Sequence, residues 1–203
     1  MKIYTCLTSP LETNTYLVVN ENKGFLVDPG GNPDIIDDMI KASNIASLDA
    51  VLVTHAHADH IGAVKYYQDR GAKVYMHILD LDKVNSYKNY GFSLGVTVDS
   101  FTPNVLLNGG ENLNICGLDI HVLHTPGHSK GAVCYILKDV IFAGDTIFSA
   151  SYGRTDFYDG DIDELKDSIC NKLFKLEENY TIYTGHGPST TLGYEKVSNP
   201  ILW

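Results

Sequence analysis

Apolar positions along this chain follow two rhythms. Short runs rich in β-branched and aromatic residues occupy 3–7, 14–19 and 24–27, separated by Pro10 and by Asn20-Glu21-Asn22, and predict a strand meander. After the turn Asp28-Pro29-Gly30-Gly31 the spacing changes: Ile35, Ile36, Met39 and Ile40 recur at helical intervals over 32–42. The same alternation continues with a strand at 49–53, a helix at 62–70, a strand at 73–76 and a short helix at 79–84. Residues 85–104, rich in Tyr, Gly and Ser, read as an irregular excursion over a site. Strands resume at 105–107, 113–115, 118–123, 132–137 and 140–143. A helix is expected over 162–177, with Leu165, Ile169, Leu173 and Leu176 on one face, then a strand at 181–183 and a helix near 191–197.

This order predicts an α+β fold: one domain over residues 1–203, with two strand-rich layers and helices on the outsides. No internal repeat, low-complexity segment or linker interrupts it. With 44% apolar and 20% charged residues the chain reads as an ordinary soluble globular protein. A formal net charge of −10 argues against a nucleic-acid partner, which needs a basic face to meet phosphates. No apolar run reaches transmembrane length, so no membrane partner is expected. The start Met1-Lys2-Ile3-Tyr4-Thr5-Cys6 lacks a secretory layout, and the four scattered cysteines form no C-x-x-C pair. A cytoplasmic protein with reduced thiols is the expectation.

The chemistry concentrates in His55-Ala56-His57-Ala58-Asp59-His60, directly after the apolar run at 49–53. Imidazole and carboxylate are the usual ligands of zinc and similar divalent ions. Residues two apart project to one side of an extended chain, so His55 and His57 can grip one ion, while Asp59 and His60 turn toward a second. The plainer reading makes Asp59 an N-cap of the helix that follows. Further ligand types sit at later strand ends: His128 in Thr125-Pro126-Gly127-His128, Asp145 in Gly144-Asp145, and His186 in Gly185-His186-Gly187. His77, His121 and His124 are assigned ordinary hydrogen-bonded roles. Asp28, in its turn, is sufficiently explained by the turn, although it could support a metal ligand from behind.

Taken together, H-x-H-x-D-H, T-P-G-H, G-D and G-H-G resemble the metallo-β-lactamase superfamily, and within it the glyoxalase II-like thioester hydrolases. Thr13-Asn14-Thr15-Tyr16, Val27-Asp28-Pro29-Gly30-Gly31, the stretch Phe142 to Phe148 and Gly153-Arg154-Thr155-Asp156 add to the likeness. The resemblance implies an αββα sandwich of two mixed sheets packed face to face, with metals at the edge where they meet. Carried over by motif, His55, His57 and His128 would hold one ion. Asp59, His60 and His186 would hold the other, and Asp145 would bridge both. Zinc is the first expectation for the pair, with iron or manganese also suited to these donors. A C-terminal helical extension found in full-length glyoxalase II is not expected, since the sequence stops 17 residues after His186.

The expected reaction is cleavage of a small-molecule thioester, S-lactoylglutathione-like, by a metal-bridging hydroxide. Asp59 would act as the catalytic carboxylate, orienting that nucleophile or taking its proton. A thiolate leaves without a strong acid because its conjugate acid has a pKa of about 8.5. Arg154 is the candidate for gripping an anionic part of the substrate, against a surface pair with Asp156 or Asp159. Tyr152 is a candidate for the entrance, as are Tyr87 and Tyr90. The alternative is a persulfide dioxygenase of the same fold, holding a single iron on His55, His128 and Asp145.

Overall fold

The computed structural model describes residues 1–203. Its first sheet contains β1 (Lys2–Thr8), β2 (Thr13–Asn20), β3 (Lys23–Val27), β4 (Ser47–Leu52), β5 (Lys73–His77) and β6 (Val105–Leu107), in that spatial order. Helices α1 (Pro33–Ser43), α2 (Ala58–Ile61), α3 (Val64–Gln68), α4 (Leu81–Val84) and α5 (Gly91–Leu94) lie among these strands. The meander β1–β3 is antiparallel, and β3 to β6 run parallel, so the sheet is mixed.

The second sheet is built from β7 (Asn112–Ile115), β8 (Leu118–His124), β9 (Val133–Leu137), β10 (Val140–Gly144), β13 (Thr181–Thr184) and β14 (Thr190–Thr191). A two-stranded ribbon, β11 (Ile147–Phe148) with β12 (Ser151–Tyr152), stands apart from it. Strand order is β14-β13-β10-β9-β8-β7, with β10 and β13 parallel and the other pairs antiparallel. Helices α6 (Ile162–Asp167) and α7 (Leu192–Ser198) complete the chain.

Why β9 and β10 read as unbroken apolar runs follows from their two buried faces. Along β2, Tyr16 and Val18 join Phe25, Ile120, Val122, Tyr135 and Phe142 between the sheets. Leu17 and Val19, the alternate positions, pack instead with Ile36 of α1 and Val64 and Tyr67 of α3. On β9, Val133, Tyr135 and Leu137 face inward, whereas Cys134 and Ile136 meet Leu165, Ile169 and Leu173 outside. Three apolar layers separated by two sheets make the αββα sandwich that the resemblance implied.

Two helices differ from the periodic reading. The segment at 62–70 is split, and its helix begins earlier, at Ala58. The turn Pro29-Gly30 presses into the split: Ala63 N–H donates to Pro29 O at 2.9 Å, leaving the helical ladder. The expected helix at 162–177 is α-helical only to Asp167, passes through a π turn at Ser168–Lys172 and ends in a 3-10 turn at Leu173–Lys175. Leu165, Ile169 and Leu173 step by four residues, which overshoots a turn of about 3.6. The wider π turn offsets that drift and keeps all three side chains on the sheet.

Candidate metal centre

All candidate ligands emerge at one edge of the sandwich. His55 follows β4, His128 lies in the loop after β8, Asp145 follows β10, and His186 follows β13. Ends of parallel strands gather at one edge, which is where open α/β sheets place their sites. The two sheets are stitched together there. Thr13 bridges His186, Asn14 N–H donates to Gly185 O at 2.8 Å, and Tyr16 Oη donates to Thr184 O at 2.6 Å.

Two of the groups that could hold an ion follow the motifs, and a third joins Asp28 to His55 and His60. His128 Nε2 lies 3.2 Å from His55 Nε2 and 3.0 Å from His57 Nδ1. Asp59 Oδ2 lies 3.4 Å from His60 Nε2 and 3.2 Å from His186 Nε2. Asp145 reaches both: Oδ2 is 3.5 Å from His128 Nε2 and 3.6 Å from His186 Nε2, while Oδ1 is 3.3 Å from His60 Nε2. All seven side chains therefore converge. Asp59 is the second residue of α2 and caps nothing; the cap position belongs to His57.

The far ring nitrogens show why the near ones face inward. His60 Nδ1 pairs with Asp28 Oδ2 at 3.0 Å, His128 Nδ1 donates to Arg154 O at 2.8 Å, and His186 Nδ1 donates to Leu11 O at 3.2 Å. Thr54 Oγ1 gives its proton to Asp28 Oδ2, so His55 Nδ1 donates to Thr54 and keeps its Nε2 lone pair for the cluster. Thr13 Oγ1 donates to Asp59 Oδ2 at 3.0 Å.

Burial and mutual repulsion push His55 and His57 well below the ordinary imidazole value. His60 is buried too, yet Asp59 and Asp145 outweigh that and lift it well above its ordinary value. Burial likewise opposes, and the Asp59 hydrogen bond and Asp145 reverse, the shift of His186, which ends raised. Burial raises Asp59, but His60 and His186 pull it down to about 2. Two kinds of site follow: a neutral imidazole triad beside a charged cluster whose protons a metal ion has to displace.

This arrangement fits divalent ions. His128 Nε2 faces two other imidazole nitrogens at once, and one proton cannot serve both pairs. His60 Nε2 and Asp145 Oδ1 are buried and face each other at 3.3 Å without the geometry of a hydrogen bond. Orphaned buried groups of this kind call for an ion.

A cleft of about 580 Å³ opens over the cluster, walled by Leu11, Tyr90, Leu94, Phe148, Tyr152 and Phe157. The excursion at 85–104 does cover the site, through Tyr90, whose ring stands 5.4 Å from that of His57. Tyr87 points to solvent, 84% exposed. Arg154 lies on the rim, and its Nε and NH2 groups both donate to Asp156 at 2.6 Å. A larger cleft of about 760 Å³ at the other end of β4 contains no imidazole. His77 Nδ1 accepts from Leu79 N–H, His121 pairs with Asn112, and His124 donates to Lys130 O.

Sequence reasoning missed a buried support. Asp80 accepts from Ala56 N–H, between His55 and His57, and from Ser129 Oγ and Gly131 N–H beside His128. Lys83 holds Asp80 at 2.7 Å and Asp159 at 2.5 Å, all three side chains being 0–1% exposed. The segment reads only as a short helix at 79–84, so nothing local signalled this role.

Gly185 lines the cluster so closely that a Cβ there would overlap Asp145 Oδ1 and stand 2.8 Å from His60 Cε1. Gly185→Ala is expected to cut metal content and activity by at least the 10–100-fold typical of disturbed ligand support, roughly. Metal per chain measures this; a full complement would show that the ligands can move aside.

The family description of the Metallo-beta-lactamase superfamily matches residues 8–186. The chain belongs to that superfamily. It is 34% identical over 209 residues to the hydroxyacylglutathione hydrolase GloC of Haemophilus influenzae (strain ATCC 51907 / DSM 11121 / KW20 / Rd), covering 100% of this chain and 98% of that protein. The crystal structure of BLEG-1 B3 metallo-beta-lactamase superimposes with a TM-score of 0.92 at 36% identity, covering 99% of each chain. TTHA1623 in a di-iron-bound form gives 0.87 at 33% identity, covering 97% of this chain and 98% of that one. Metal-dependent hydrolysis is thus the class of chemistry, with divalent ions as its cofactors.

Proposed function

We propose that the protein is a binuclear metal-dependent hydrolase that cleaves thioesters of small thiols. The observation that carries this reading is Asp145, whose carboxylate lies within 3.6 Å of donor atoms from both groups. His55, His57 and His128 would hold one ion, Asp59, His60 and His186 the second, and Asp145 both. Bound there, divalent ions supply Lewis acidity for a carbonyl oxygen and an activated water.

The chain's own residues do the rest. Thr13 fixes Asp59, so that its carboxylate can orient the attacking water and accept its proton. Asp28, Thr54 and the carbonyls of Leu11 and Arg154 fix the imidazoles. Tyr90 and Phe157 keep bulk water from one side of the cleft, and Tyr152 lines its mouth. The acyl carbon gains the hydroxyl, the C–S bond breaks, and sulfur departs with the electron pair as thiolate. Four unpaired thiols in the chain suit a reducing compartment, the cytoplasm.

The likeness to GloC supports a thioester. Protein loaded with zinc, iron or manganese is expected to hold two ions per chain and hydrolyse lactoyl thioesters. One iron per chain with oxygen uptake on a persulfide would establish the dioxygenase reading instead. A β-lactam cleaved faster than every thioester would remove the substrate assignment.

A further inference from the structure

The hairpin of β11 and β12 forms one wall of the cleft, for Phe148, Ser151 and Tyr152 all line it. Strands of two residues do not stand alone, and this hairpin joins neither large sheet. Its support lies behind it, in α7 and the turn that follows. Glu195 of α7 is fully buried, and its side chain meets only neutral donors. Ala150 N–H, at the tip of the hairpin, donates to both carboxylate oxygens at 3.0 and 3.2 Å. Asn199 Nδ2 donates to Glu195 Oε2 at 2.7 Å and to Ser151 O at 2.8 Å, tying the carboxylate to the hairpin a second time. Asn199 Oδ1 accepts from Ile201 N–H at 3.0 Å, which fixes the orientation of that amide. Thr190 Oγ1 donates to Glu195 Oε1 at 2.6 Å, and Thr190 ends the loop that carries His186.

A carboxylate buried without a cation is costly unless hydrogen bonds occupy it. Here they run to the hairpin, to the residue that holds Ser151 and to the His186 loop, and to none of the seven candidate ligands. Glu195 therefore joins the segment after Asp145 to the segment after His186. Across that join the Phe148 ring stands 6.1 Å from the His186 imidazole. We infer that Glu195 is a positioning residue: with Asn199 it sets the Phe148–Tyr152 wall against His186 and so governs substrate binding without holding metal. The inference rests on the thioesterase reading of this cleft and adds the group that shapes it. A wall beyond the ligands contacts substrate in the ground and transition states alike, so its displacement acts on KM more than on kcat.

Glu195→Ala removes every acceptor at once, and alanine suits a helix. The zinc-loaded variant is expected to keep the wild-type metal content, raise KM for S-lactoylglutathione by about tenfold and hold kcat within about threefold. Asn199→Ser keeps a cap for Ile201 N–H but is too short to reach Ser151 O. It should raise KM by about threefold or more, and it decides the matter by itself if Glu195→Ala does not fold. Amide exchange followed by NMR reads the link directly. Ala150 N–H lies at an exposed tip and should exchange at least about tenfold faster in Glu195→Ala than in the wild type. A KM within about twofold of wild type in the folded variants overturns the inference, as does a loss of metal or kcat at unchanged KM. So does an Ala150 amide that exchanges alike in both proteins. If no thioester is hydrolysed but a β-lactam or a persulfide shows the same KM-against-kcat split, the thioesterase reading falls and the clamp stands. Thioester hydrolysis with one KM in all three proteins keeps the thioesterase reading and removes the clamp.

Discussion

Asp145→Ala is expected to leave a folded protein that holds at most one ion per chain and has lost activity by more than 100-fold. The carboxylate reaches His60, His128 and His186 and belongs to none of the three apolar layers, so its loss strikes the site and spares the core. Losing a residue that merely supports a ligand already costs roughly 10–100-fold, and a ligand shared between two ions should cost more. A 100-fold loss in kcat/KM corresponds to about 2.7 kcal/mol of transition-state stabilisation. Elemental analysis, kcat/KM under saturating metal and circular dichroism test the three parts separately. Two tightly held ions in the variant would remove Asp145 from the centre of the scheme.

Lys83→Met is expected to destabilise the fold by about 3–5 kcal/mol, the usual cost of leaving buried charge without its partner. Against a total stability of about 5–15 kcal/mol that is a large fraction. Lys83 is fully buried between Asp80 and Asp159, which face it at 2.7 and 2.5 Å. Burial alone would lower its pKa, but the two carboxylates outweigh burial and raise it. The sign follows: a raised folded value means the stabilising contribution is complete below the unfolded lysine value of about 10.4 and disappears as pH rises through the folded one. Wild-type stability should therefore fall at strongly alkaline pH, and the variant should lack that part of the fall. Urea midpoints at pH 7 and along an alkaline series measure both. The variant should also bind metal more weakly, because Asp80 ties the His55–His57 loop to the His128 loop. A loss below about 1 kcal/mol, within the ordinary range for surface ion pairs, would mean the network contributes little.

Most strands were legible from local pattern: β9 and β10, buried on both faces, need apolar residues at every position, and β8 alternates buried with part-exposed ones. The side chains that converge at one edge were legible as well, because imidazoles and carboxylates beside strand-end glycines are chemically conspicuous. Short elements escaped. Strands β11 and β12 have two residues each, too few for any period, and exist because the loop after Asp145 folds back on itself. The split between α2 and α3 depends on Pro29 reaching Ala63 from 34 positions upstream. That distance is invisible to a window along the chain.

Arg154 shows the same division from the other side. Its place beside the cluster and a surface pair with Asp156 or Asp159 were both readable; that Asp156 is the partner, and holds it with both oxygens, is a matter of rotamers and loop path. Asp80, Lys83 and Asp159 look like solvated charges in sequence, and only the closure of three loops excludes water from them. By itself, then, the sequence determined which residues could bind metal and which segments could be strands, because donor chemistry and two-sided burial are properties of residues and their neighbours. The tertiary structure decided which nitrogen of each imidazole faces inward, which charges are buried and which cation is free. Those depend on hydrogen bonds and packing between segments as far apart as Leu11 and His186, where water is displaced only after the sheets have met.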